Sequence, residues 1–145
     1  MFKRILVAYD ESPESMRALL TGIQLAKSLD AELRAVSVRE KLPAYSGYID
    51  AEVPGGTALL QEQASEYYRK LQAEAQKAAH KAGIILTTEL VDGDEVDAVV
   101  EYVLKTGSDL LIVGIHRHSV LLSGLWNHTA HDLSQRVPSD IMGVH

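Results

Sequence analysis

Apolar residues follow one another along this chain in two alternating rhythms. Short aliphatic and β-branched runs at 5–9, 32–38, 84–91, 109–113 and 141–144 read as strands. Between them lie longer segments whose apolar positions are three and four apart. Leu110 to Val113 is apolar at every position, the mark of a strand covered on both faces of a parallel sheet. Met16, Leu19, Leu20, Ile23 and Ala26 predict a helix over 13–29, with Ser12 as its N-cap and Pro13 at its first position. Leu60, Ala64, Tyr67, Leu71, Ala75, Ala78 and Ala82 predict a long second helix, capped by Thr57 and ended at Gly83. Val96, Val99, Val100, Val103 and Leu104 predict a third between a cap at Asp94 and a stop at Gly107, and 126–137 reads as a fourth. From 39 to 56 the periodicity is lost, and Pro43, Gly47, Pro54, Gly55 and Gly56 punctuate a long loop.

Strand and helix in alternation, joined by right-handed crossovers, predict an α/β fold. It is a three-layer doubly wound sandwich of five mostly parallel strands and four helices, in one domain over 1–145. Ligands of such sheets bind outside the carboxyl ends of the strands, so the loop leaving Val113 is where a site is sought. With 145 residues, 46% of them hydrophobic, the chain can fill one core. Its net charge of −6 lacks the basic footprint that phosphate backbones require, which excludes nucleic acid as an expected partner. There is no cysteine, hence no disulfide and no thiolate chemistry. The early apolar run, Ile5 to Ala8, is too short for a signal peptide or a membrane span, so a cytoplasmic protein without a membrane partner is expected.

Several stretches, taken in order, resemble the universal stress protein family: ILVAYDES at the start, the long loop before the second helix, the VDG turn, the SDLLIVG strand and the late VPSD. The resemblance implies strand order 3-2-1-4-5 and homodimers that pair their last strands. The family's nucleotide-binding members carry Gly, two residues, Gly, nine residues, Gly, then Ser or Thr. Here Gly114 matches the first glycine, but Arg117, Asn127 and His128 stand at the second, the third and the hydroxyl position. By the same resemblance Asp10 faces the nucleotide, and Val38 offers its main chain to an adenine ring. Asp10 also reads as part of the helix-entry turn with Ser12, and Val38 as an ordinary strand end. Arg117 is bulky where a glycine lets phosphates approach, yet it is cationic and suited to meet an anion directly.

The histidines offer a different chemistry. His128 and His131, three apart on a helix, share a face, with His116 or His118 as a further metal ligand and Asp132 in support. Solvated or interface histidines are the plainer reading, and no metal is expected. Leu121, Leu122, Leu125 and Trp126 form an apolar cluster that either plugs the domain edge or meets a partner, and Tyr45, Tyr48 and Ile49 in the long loop pose the same question. Ser12 lacks a nearby histidine and a nucleophile-elbow pattern, so no enzyme is expected, and a slow ATPase is the least favoured reading. The functional expectation is a regulatory or protective module acting through homodimerisation and an unidentified protein partner, without a cofactor. The alternative is a sensor of adenine nucleotide, ATP or AMP, or of another anion, at the loop after the fourth strand.

Overall fold

The structure is a computed structural model that describes residues 1–42, 47–115 and 123–145, with the side chains of 123–128 outside the description. Five strands, β1 (Arg4–Ala8), β2 (Glu32–Arg39), β3 (Leu86–Asp92), β4 (Leu110–Gly114) and β5 (Asp140–Val144), form one sheet in the order β3-β2-β1-β4-β5. Every neighbouring pair is parallel. The helices are α1 (Pro13–Leu29), α2 (Gly47–Glu52), α3 (Gly56–Lys81), α4 (Glu95–Thr106) and α5 (Ser123–Arg136). The expected α/β sandwich and strand order are present.

Alternating side chains divide the core between the two faces of the sheet. Ile5, Val7, Leu33 and Ile112 pack with Leu19 and Ile23 of α1 and Ala75 and Ala79 of α3. Leu6, Val36, Leu111 and Val113 pack with Val99 and Val103 of α4 and Leu133 of α5. Leu110 to Val113 are each at most 6% exposed, as a strand buried on both faces requires. From β1 the chain winds outward through β2 and β3, then crosses back to β4, so the winding reverses between β1 and β4. That reversal opens a crevice at their carboxyl ends.

Three expectations are corrected. The helices number five rather than four among the described residues, because α2 forms inside the segment read as loop. Asp50 of α2 accepts from the Thr57 N–H at 2.9 Å, so the short helix supplies a cap to the long one. Helix α3 accordingly begins at Gly56 behind Gly55, whose φ of 76° is open to glycine at little cost, and Thr57 is not its N-cap. Its buried stripe also differs from the apolar periodicity: Leu60 and Tyr67 are 42% and 50% exposed, while Ser65 and Gln72 are buried. Both polar residues face the sheet because both are satisfied there. Ser65 Oγ accepts from the Arg39 guanidinium and donates to the Gln61 carbonyl, and Gln72 Nε2 donates to the Glu89 carbonyl at 2.8 Å. No helix among the described residues is long and apolar enough to cross a membrane.

Candidate functional site

A cleft of about 120 Å³ lies at the carboxyl ends of β1, β2 and β4, several times the room that one water needs. Val36 and Val38 of β2, Val99 of α4, Val113 of β4 and Leu133 of α5 give it an apolar slot. Asp10, Ser12, Ser15, Glu95 and Thr129 supply its polar groups.

Asp10 leaves β1 into the turn that starts α1. Its Oδ1 accepts from the Ser12 N–H at 2.8 Å, Ser12 Oγ accepts from the Ser15 N–H at 3.2 Å, and Ser15 Oγ both accepts from the Asp10 N–H and donates to the Asp10 carbonyl. The turn is therefore rigid, and Asp10 takes part in it. Among the described residues Oδ2 has no hydrogen-bond partner, so the carboxylate serves the helix entry with one oxygen and lines the cleft as well.

Gly114 ends β4 beside that turn. A Cβ there would lie 2.6 Å from both Glu14 C and Ser15 N, backbone atoms that cannot move aside. The glycine is required by the close approach of β4 to the first turn of α1, whatever ligand enters.

Glu95 opens α4 behind the Asp94 cap, whose Oδ1 accepts from the Val96 and Asp97 N–H groups. Burial raises the Glu95 pKa above the usual carboxylate range, and the charges of Asp10, Glu40, Asp94 and Glu11 push it the same way. Tyr9, 2% exposed, is likewise raised, by burial first and then by Glu74, Asp10 and Tyr67, so its phenol stays neutral. The described lining contains no Lys or Arg. Its electrostatic character is acidic.

The structure thus brings together Asp10, Val38 and Gly114. Arg117, His116, His118, Leu121 and Leu122 lie outside the described residues, as does Tyr45. Asn127 and His128 fall within the α5 backbone, but their side chains, with those of Leu125 and Trp126, lie outside the description. His131 is exposed on α5, and no group of three or more His, Asp or Glu among the described residues is placed to hold a metal. Sequence reasoning missed Glu95 and Thr129. The one sequence signal for Glu95 is its place in the acidic first turn of α4, one turn ahead of Val99, which does not by itself mark a site. Thr129 is the hydroxyl residue immediately after His128, and it lines the cleft.

Universal stress protein MJ0531 of Methanocaldococcus jannaschii is 27% identical over 114 residues, covering 79% of this chain, and the chain spans 65% of its length. Universal stress protein YxiE of Bacillus subtilis is 25% identical over 138 residues, 93% of each. Among solved structures, UspA from Lactobacillus plantarum superposes with a TM-score of 0.82 at 15% identity, covering 99% of this chain and 98% of its own. A universal stress protein in complex with cAMP gives 0.71 at 24% identity, over 99% and 97% of the two chains. An Arabidopsis thaliana family protein with AMP bound gives 0.70 at 15%, over 98% and 90%. These structures share the fold seen here, and the sequence profile of the Universal stress protein family matches residues 1–145, so the chain belongs to that family.

Proposed function

We propose that this chain is a cytoplasmic regulatory module that takes the adenosine part of a small nucleotide into the cleft between β1 and β4, binding rather than turning over its ligand. The observation that carries this reading is the make-up of the cleft wall: an apolar slot of Val36, Val38, Val99 and Leu133 beside the carboxyl groups of Asp10 and Glu95. Such a wall suits a flat ring together with hydroxyl and amino donors. A ribose hydroxyl donating to the Asp10 carboxylate makes a charge-assisted bond. Each phosphate, by contrast, adds negative charge beside two acids, which costs affinity unless a cation offsets it. Arg117 is the residue assigned that offsetting role, at the position where the family pattern has a glycine. The solved relatives carrying cAMP and AMP support an adenine ligand for this fold.

Calorimetric titration with adenosine, AMP and MgATP tests the proposal. The expected order is adenosine and AMP at comparable affinity and MgATP weakest, with Arg117→Ala weakening AMP and leaving adenosine unchanged. No saturable heat from any of the three would reject the adenosine reading.

A second reading, a homodimer working through protein contacts, is favoured by the edge strand β5, which among the described residues pairs with β4 alone. An unpaired parallel edge is a template for a second strand. Light scattering across concentration tests it, and a monomer throughout would remove it.

A further inference from the structure

Nine large hydrophobic side chains are exposed among the described residues, and five of them cluster between residues 48 and 67: Tyr48, Val53, Leu59, Leu60 and Tyr67. They belong to one neighbourhood. A Cβ at Gly56 would lie 2.9 Å from Ile49 Cγ2 and 3.3 Å from Val53 Cβ, so α2 and the turn after it pack directly on the start of α3. Helix α3 turns Ser65, Gln72, Ala75 and Ala79 inward to the sheet, which leaves Leu60, Gln63, Tyr67 and Lys70 pointing away from it, all exposed. Their spacing of three, four and three is that of a helix–helix seam. Tyr67 is already held for such a contact: its ring meets Tyr68 edge to face with centroids 5.7 Å apart, which lowers the entropy lost on ordering it.

We propose that this face is an interface with a second copy of the chain, the two α3 helices packing antiparallel about a two-fold axis beside Gln63. The charges select that partner and that direction. In α2 and the first half of α3 the charged residues are Asp50, Glu52, Glu62 and Glu66, whereas in the second half they are Arg69, Lys70, Glu74, Lys77 and Lys81. A parallel pair would set acid on acid; an antiparallel pair sets the basic half of each copy on the acidic half of the other. A two-fold axis that puts Leu60 on the partner's Tyr67 also puts Lys70 opposite the partner's Thr57. Asp50 stands at that point, its Oδ1 accepting from the Thr57 N–H at 2.9 Å. The pair of Lys70 with the partner's Asp50 therefore forms twice. Within one copy Lys70 meets Glu66 at 3.5 Å with both side chains more than half exposed, a pair weak enough to be exchanged.

This contact is separate from the β5 edge. Helix α3 lies over β2 and β3, at the end of the sheet farthest from β5, so the two surfaces do not compete. It is separate from the nucleoside reading as well, since neither Gln63 nor any of the five exposed apolar residues lines the cleft.

The chain has no cysteine, so a single introduced thiol reads the geometry directly. Under mild oxidation Gln63→Cys is expected to give a disulfide-linked dimer on a non-reducing gel, because the axis brings this residue beside its own copy. Ala73→Cys, also exposed but more than two turns further along α3, is expected to stay unlinked. Sedimentation equilibrium of the parent is expected to show a dimer that Lys70→Glu weakens about tenfold and Tyr67→Glu abolishes, with melting curves showing each variant folded. A parent that sediments as a monomer at every concentration overturns the proposal and leaves the face to a different protein or to solvent. A dimer in which Gln63→Cys stays unlinked, or one that survives Tyr67→Glu, overturns it in favour of another contact such as the β5 edge. Saturable nucleoside binding by a monomeric parent would sink this interface while leaving the reading of the cleft intact.

Discussion

At the amino edge of the sheet, Asp109 uses both carboxylate oxygens on the backbone of β1: Lys3 N–H donates to Oδ2 at 2.8 Å and Arg4 N–H to Oδ1 at 3.0 Å. Its own N–H donates to the Arg4 carbonyl at 2.9 Å, which ties the starts of β4 and β1 together. At the carboxyl edge of the same two strands, Asp10 engages one oxygen in a turn, and Glu95 makes no hydrogen bond within the described structure. The residue types are alike and the energetics are not. Carboxylates whose acceptors are filled by backbone donors stabilise the fold, whereas those left with open acceptors in a cleft hold their capacity for something else. Function in this chain is read from what is unsatisfied.

Gly114 tests whether that division is complete, because it sits at the ligand edge for a packing reason. Gly114→Ala places a Cβ against the backbone of Glu14 and Ser15 and is expected to cost about 3 kcal/mol, the upper end for overpacking, seen as a fall in denaturation midpoint. An unchanged midpoint would show that α1 and β4 separate more readily than their contact implies. Asp109→Ala removes two charge-assisted bonds and is expected to cost about 2 kcal/mol while leaving nucleoside affinity unchanged. A change in affinity would break the separation of the two edges.

Glu95→Gln has the opposite signature. With the folded pKa raised, the stability linked to the Glu95 proton is fully present below the unfolded value near 4.5 and is lost as pH rises through the folded value. The variant is therefore expected to be more stable than the parent by about 0.5 kcal/mol at neutral pH, and equal to it in acid, in melting curves taken across pH. Asp92→Asn is the smallest effect. The Arg39 guanidinium holds the Asp92 carboxyl below its usual range, so its contribution is present above the unfolded value and fades as pH falls through the folded one. Because the Asp92 side chain is 58% exposed, solvent screening limits the loss to less than about 0.5 kcal/mol, measurable only as a slight shift in midpoint.

The layers were legible because periodicity carries them: the fully apolar Leu110–Val113 run and the Ser12 and Asp94 caps each leave a local mark in sequence, whereas the strand order came from the family resemblance. Helix α3 was less legible. Its buried face includes Ser65 and Gln72, polar residues stabilised by partners on β2 and β3 that are distant in sequence, and a count of apolar spacing has no access to those partners. The site was half legible. Asp10, Val38 and Gly114 could be placed by the resemblance, since each lies at or near the carboxyl end of a strand, and the structure gathers them in one cleft. Glu95 could not, because an acid in the first turn of a helix is ordinary until the fold turns that helix end toward the slot.

Chemical-shift mapping with ¹⁵N-labelled protein and adenosine tests most directly whether the open carboxyl edge, and not the closed amino edge, is where this protein meets its ligand. Saturable shifts confined to the amides of Asp10, Val38, Glu95, Gly114 and Thr129, with Lys3, Arg4 and Asp109 unmoved, are the predicted result. Shifts centred on the amino edge, or none as adenosine reaches millimolar concentration, would contradict it.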